Sequence, residues 1–180
     1  VMLCTNTGQV NRFSEEDIRP MGRTARGVRG IRLEEGQYVI AMMVPKSDDI
    51  VLLATEHGYG KRTRVEEFTK HRRGGKGVIG IQTSERNGAL VGATIVEDED
   101  EVMLISSNGV LVRTRVDEVS LLGRNTQGVR LIRLDEGDTL VGLSRIEESD
   151  DEASLEGEEQ TLMDAPAAND APLDSTDGEV

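Results

Sequence analysis

A chain of 180 residues with 21 Lys plus Arg against 34 Asp plus Glu carries a formal net charge of −13, a balance that on its face excludes a nucleic-acid partner. The average conceals a division, because 13 of the acids and no Lys or Arg fall between Glu147 and Val180, leaving 21 of each sign before Glu147. One cysteine, Cys4, excludes an intrachain disulfide and points to a reducing cytoplasm, while the apolar runs fall well short of the roughly 18 residues of a membrane span and no secretory leader is expected.

The chain opens on VMLCTNTGQVNRF, two short apolar runs around a turn, which reads as a β-hairpin. It starts inside this strand without a Met, so a piece of a longer protein is expected. The pattern returns as VLLATEHGYGKRT from Val51 and as VMLISSNGVLVRT from Val102. Anchored on Gly8, Gly58 and Gly109, the spacings are 50 and 51 residues. The register then holds through Arg12, Arg62 and Arg113, through Gly27, Gly77 and Gly128, and through Ile31, Ile81 and Ile132. A fixed period of this length marks a repeat architecture.

Each unit reads as four short strands, in the third VMLISS, GVLVRTRV, VRLIRL and TLVGLSRI. The first two are expected to meet in two-residue type I′ turns at Thr7-Gly8, His57-Gly58 and Asn108-Gly109. The EEDI after Ser14 is at most one helical turn. The expected fold is therefore all-β, with propeller-like blades of four antiparallel strands at 1–49, 50–100 and 101–148, followed by an acidic tail at 149–180. That tail is poor in β-branched residues and lacks aromatics, so it is expected to be disordered. Either it competes with a polyanion for basic surface or it serves solubility. Three blades fall short of the roughly four to eight that close a ring, so others are expected upstream or in another chain.

Between the second and third strands of each unit runs a longer loop, RPMGRTARG, TKHRRGGKG or SLLGRNTQG. The second is the most basic. Its continuation GKGVIG formally fits G-x-G-x-x-G, but strand-like VIGIQT follows where a dinucleotide site needs a helix. A Walker A loop needs Ser or Thr after its Lys, and Lys76 precedes Gly77. The only histidines, His57 and His71, pair with no Cys or Ser at a nucleophile spacing. The acidic run EDEDE, Glu97 to Glu101, reads as a solvated loop with at most a weak attraction for divalent cations. No reaction chemistry is visible, and neither catalytic residues nor a metal or cofactor site is expected in this chain.

The loops and second strands concentrate cations instead. Arg23 and Arg26 lie in the first loop, Lys70, Arg72, Arg73 and Lys76 in the second, and Arg124 in the third, while Arg62, Arg64, Arg113 and Arg115 lie on strands. Blade symmetry would line these along one edge, and a curved row of cations suits the phosphates of bent duplex DNA without reading its sequence. Gly74, Gly75 and Gly77 would let backbone N–H groups approach phosphate oxygens. For any one arginine a solvated face is the simpler reading; four Lys or Arg around three glycines tip the second loop toward phosphate. Four aromatic residues, Phe13, Tyr38, Tyr59 and Phe68, make a poor platform for single strands.

HRRGGKG, His71 to Gly77, resembles the Q-R-R-G-G-K-G motif, the GyrA box, found in the C-terminal domain of the DNA gyrase A protein, with His71 in place of Gln. GYGKRTRV, SERNGALVGA, GVLVRTRVDEVS and GRNTQGVRLIRL are similar to the last three blades of that domain. The resemblance implies a six-bladed β-pinwheel whose blades exchange strands and whose basic perimeter wraps duplex DNA. It implies Arg72, Arg73 and Lys76 as the principal phosphate ligands, within His71 to Gly77. It also implies a partnership with the rest of the gyrase A protein and with the gyrase B protein in an A2B2 assembly, ATP and Mg²⁺ acting in other parts of that ATP-dependent, supercoiling topoisomerase. The box here lies in the middle repeat rather than in the family's first blade, and the strand-cleaving tyrosine belongs to a domain outside this sequence. The alternatives are the related C-terminal domain of the topoisomerase IV protein ParC and a propeller-like protein-interaction module.

Overall fold

The computed structural model describes residues 1–146; the segment read as an acidic tail, 149–180, lies outside them. The first repeat contributes β1 (Met2–Thr5), β2 (Gln9–Arg12) and β3 (Val39–Met43). The second contributes β4 (Ile50–Thr55), β5 (Tyr59–Arg64), β6 (Val78–Ile79) and β7 (Leu90–Val96), and the third β8 (Glu101–Ser106), β9 (Leu111–Arg115), β10 (Val129–Arg130) and β11 (Leu140–Ile146). A single 3₁₀ turn follows the second strand each time, at Glu15–Asp17, Val65–Glu67 and Val116–Glu118; the sequence pattern signals only the first. Among the described residues no helix is long and apolar enough to cross a membrane.

The expected third strands, VIGIQT and VRLIRL, shrink to two residues each and leave their own unit. β6 pairs with β2 of the preceding repeat, Val10 opposite Val78, and β10 pairs with β5, Gly60 opposite Val129. The sheets accordingly read β3-β1-β2-β6, β10-β5-β4-β7 and β11-β8-β9. The counterpart in the first repeat, from Val28, forms no strand within the described residues. β7 packs against both β3 and β11, so the fourth strand of each unit is innermost and β6 and β10 lie at the outer edge.

The hairpin turns differ from expectation as well. A type I′ turn needs φ > 0 at both central residues, yet among the described residues every positive φ belongs to a glycine. The carbonyls of Thr5, Thr55 and Ser106 accept hydrogen bonds from the N–H of Gly8, Gly58 and Gly109 at 2.9, 2.9 and 3.1 Å. These are three-residue loops, each a type I turn closed by a left-handed glycine.

The core lies between repeats. Successive residues of a strand face opposite sides, and Leu52 and Leu53 are both fully buried. Leu53 joins Met2, Val10, Phe68 and Ile81, whereas Leu52 joins Val96, Val102, Val116 and Val119. The middle strand β4 is thus covered on both faces and reads as a continuous apolar run, each buried leucine contributing about 1.5–3 kcal/mol.

Gly77 and Gly128 fit a second inter-repeat constraint. Gly77 has φ 82° and a Cβ there would stand 2.5 Å from the Val10 carbonyl oxygen; Gly128 repeats this at 2.5 Å from the Gly60 oxygen. Gly27, the first-repeat counterpart, has φ 77° with no atom within 4 Å of such a Cβ. Gly27→Ala therefore incurs only the left-handed cost of about 1–2 kcal/mol, and Gly77→Ala is expected to lose at least about 1 kcal/mol more in urea unfolding. Equal losses would remove the inter-repeat constraint.

Candidate nucleic-acid interface

The second loop is stitched onto the first repeat. The His71 N–H donates to the Arg12 carbonyl at 2.7 Å, Gly74 N–H to the Gly30 carbonyl at 2.8 Å, and Arg32 N–H to the Gly75 carbonyl at 2.8 Å. Arg73 is half-buried and donates to the carbonyls of Arg29 at 2.7 Å and Asp17 at 3.2 Å. Lys76 meets Glu34 at 2.7 Å on an exposed surface and, by its hydrogen bond and charge, holds that carboxyl below its ordinary range. Lys70, His71 and Arg72 are exposed, and among the described residues Lys70 and Arg72 enter no ion pair. Gly74 and Gly77 thus have their first use in the chain's own packing; Gly75 alone of the three has an ordinary φ.

The strand arginines divide into two classes. Arg62 is 9% exposed and points into the neighbouring repeat, donating to the Val119 carbonyl at 2.6 Å and the Asp117 carbonyl at 3.3 Å, and pairing with Asp98. Its counterpart Arg12 donates to Val65 and Phe68 carbonyls at 3.0 and 3.2 Å. Each of the two closes the 3₁₀ turn of the following repeat. This corrects the expectation for Arg62, whose guanidinium is turned inward and spent. Arg113, the third counterpart, is exposed and pairs with Glu101, and Arg115 pairs with Asp117 at 2.7 Å. Arg64 is exposed, as are Arg23 and Arg26. Arg124 reaches back to the Ile79 carbonyl at 3.1 Å, while its N–H donates to Glu67.

EDEDE is not a free solvated loop. Asp98, Asp100 and Glu101 pair with Arg62, Arg145 and Arg113. Cys4 is fully buried, which pushes its thiol up to about 12 and removes it as a nucleophile.

The structure adds cations that the sequence pattern passes over. Arg29 and Arg32, beside the box loop, and their counterparts Arg130 and Arg133, on and just after β10, are exposed. Arg86 and Arg130 flank the Tyr59 ring at 4.8 and 5.4 Å, and Arg130 donates to the Tyr59 hydroxyl at 2.9 Å. The signal is present in VRGIRL and VRLIRL; it becomes legible once the first is known to lie against the box loop and the second to open on the edge strand β10.

A family model described as DNA gyrase C-terminal domain, beta-propeller, matches residues 1–46, 49–97 and 100–147. The DNA gyrase A protein of Pseudomonas aeruginosa is 51% identical over 183 residues, 99% of this chain and 20% of that protein. Its Escherichia coli K12 equivalent is 52% identical over 156 residues, 87% of this chain and 18% of that protein. The chain thus spans about a fifth of the length of the curated relatives it matches. Among solved structures, a DNA gyrase A C-terminal domain aligns with TM-score 0.74 at 28% identity, covering 81% of this chain and 50% of that one. The C-terminal domain of a DNA topoisomerase IV aligns with TM-score 0.77 at 22% identity, covering 89% and 50%, a likeness of fold.

Lys61 supplies a pH test of the inter-repeat packing. Its ammonium donates to the carbonyls of Gly123 and Arg124, both at 2.6 Å, and to Thr126 Oγ1 at 3.0 Å. Burial pulls it from the ordinary 10.5 down to about 8, against the raising influence of Glu67. Between those values the unfolded chain holds a proton the folded chain has released, so Lys61 makes stability rise with pH across that window. Unfolding free energy of the native chain relative to Lys61→Met is expected to climb from pH 8 to 10.5; a flat or falling difference would contradict this placement.

Proposed function

The chain belongs to the DNA gyrase C-terminal domain family, and from that premise we propose that it binds and bends duplex DNA along its outer edge through the phosphate backbone. The observation that carries this reading is the concentration of exposed cations on the box loop, on the segment hydrogen-bonded to it and around the edge strand β10. Lys70 and Arg72 on the box loop, Arg29 and Arg32 beside it, and Arg130 and Arg133 one repeat further on are all exposed. Such cations displace condensed counterions from DNA and contribute affinity without discriminating bases.

Arg72 is the principal phosphate ligand, because its guanidinium is exposed while the loop backbone beneath it is held at His71, Gly74 and Gly75. Arg73 and Lys76 are secondary, each engaging DNA by leaving a present partner, Arg29 carbonyl or Glu34. Arg23, Arg26, Arg64, Arg115 and Arg124 extend the path, with Arg113 exchanging Glu101 for phosphate. His71, Gly74, Gly75 and Gly77 shape the loop. By the same reading the chain works within a gyrase A protein, with the gyrase B protein in an A2B2 assembly in the cytoplasm. It wraps DNA for supercoiling whose ATP and Mg²⁺ chemistry takes place in other parts of the enzyme.

Arg72→Ala is expected to weaken binding to unrelated duplexes alike and to lower the slope of log affinity against log salt by about 0.9. Equilibrium titrations on two duplexes of different sequence across a salt series test it. A loss confined to one sequence would overturn backbone binding, and salt-independent affinity would favour a protein-interaction module.

A further inference from the structure

Tyr59 opens β5 and stands in register opposite Arg130 on the edge strand β10. The tyrosine is buried, yet two exposed arginines end on it, the guanidinium carbons of Arg86 and Arg130 lying 4.8 and 5.4 Å from the ring centroid. Arg130 donates to the hydroxyl at 2.9 Å. The hydrogen bond from Arg130, and after it Arg86, holds that hydroxyl below its ordinary range, so both positive charges converge beside one oxygen. Arg86 is also fixed at its base. The neighbouring Asn87 is fully buried and donates to the carbonyls of Gln82 and Gln127 at 2.8 and 3.1 Å, and the His57 Nδ1 meets the Arg86 carbonyl at 3.3 Å.

Two guanidiniums gathered on one ring repel each other, and an anion between them relieves the repulsion. Glu85, Asp135 and Glu136 are exposed within a few residues of the pair in sequence, but among the described residues neither Arg86 nor Arg130 enters an ion pair. Asp135 and Asp138 line an adjoining cavity from which Arg86 and Tyr59 are absent, and the Asp138 carboxylate is occupied by Ser107 Oγ at 2.7 Å and the Asn108 N–H at 3.1 Å. The repeat register gives the pair a purpose. One junction earlier the positions of Tyr59, Arg86 and Arg130 hold Gln9, Gly36 and Ile79, and there the box loop supplies the exposed cations. At the later junction the loop SLLGRNTQG has one cation, Arg124, and it reaches the Ile79 carbonyl. We propose that Arg86 and Arg130 jointly clamp a single phosphate of the duplex backbone at this junction, with Tyr59 beneath them as the residue that positions both guanidiniums.

The clamp rests on duplex binding through phosphates, and its test separates the two. Carbon-13 NMR of the 180-residue chain labelled at tyrosine Cζ reads its two tyrosines, Tyr38 and Tyr59, one by one. Duplex is expected to shift the Tyr59 signal, because a phosphate on Arg130 redirects the charge beside the hydroxyl, and to leave that of Tyr38 in place. Duplex binding with Tyr59 unmoved, or with both signals moved alike, would overturn the clamp while the backbone reading stands; affinity without salt dependence would overturn both. In duplex titrations across a salt series, Arg86→Ala and Arg130→Ala are each expected to weaken binding about tenfold. Since one phosphate is shared, the double variant is expected to lower the salt slope by about 0.9. A loss near twice that value would mean two separate phosphate contacts and would overturn the clamp. Should a variant fail to fold, the Tyr59 signal of the native chain still decides.

Discussion

The whole arrangement depends on one backbone constraint: the short strand that follows each of the second and third loops is hydrogen-bonded to the sheet of the preceding repeat. β6 completes the sheet of β1 and β2, β10 that of β4 and β5, so neither sheet is built from its own repeat alone. This addition satisfies an edge that would otherwise present unpaired N–H and C=O groups. It also carries the loop before it across the junction. The box loop therefore arrives at the outer edge already held by the first repeat, through His71, Gly74 and Gly75.

Once the loop crosses, the chemistry of nearby cations is sorted by depth. Arg12 and Arg62 start on the receiving strand and end in backbone carbonyls of the next repeat. Removing Arg12 leaves the buried Phe68 carbonyl unpaired, and removing Arg62 leaves that of Val119 unpaired, at a cost of about 1–3 kcal/mol for each group. Arg72 and Lys70 start on the loop's outer side and remain exposed. Burial thus separates arginines that hold repeats together from arginines available to a polyanion, and the separation falls within stretches of identical composition.

Much of this is legible in the sequence. The repeat period, the all-β class and the apolar run at Leu52 and Leu53 follow from patterns in which each residue reports its own surroundings. Strand exchange is legible only through family resemblance, because Val78 and Val129 alternate the same way whichever sheet they join. The turn type misleads because His57-Gly58 and Asn108-Gly109 satisfy a two-residue signal as well as the three-residue loop that forms. Arg62 reads as a surface residue because charge alone does not tell a guanidinium bound to carbonyls from one in water. The exposed arginines Arg29, Arg32, Arg130 and Arg133 are invisible as a group until the box-loop contact and the β10 edge are known.

Arg62 and Arg64 stand two positions apart on β5, one turned into the next repeat and the other exposed. The decisive measurement is duplex affinity across a salt series, paired with urea unfolding, for Arg62→Ala and Arg64→Ala. The first is expected to lower stability by about 3 kcal/mol or more, with the salt slope of its folded fraction unchanged. The second is expected to leave stability within about 0.5 kcal/mol and to reduce the slope by about 0.9. Loss of slope from Arg62→Ala with stability intact would contradict the division on which the interface rests.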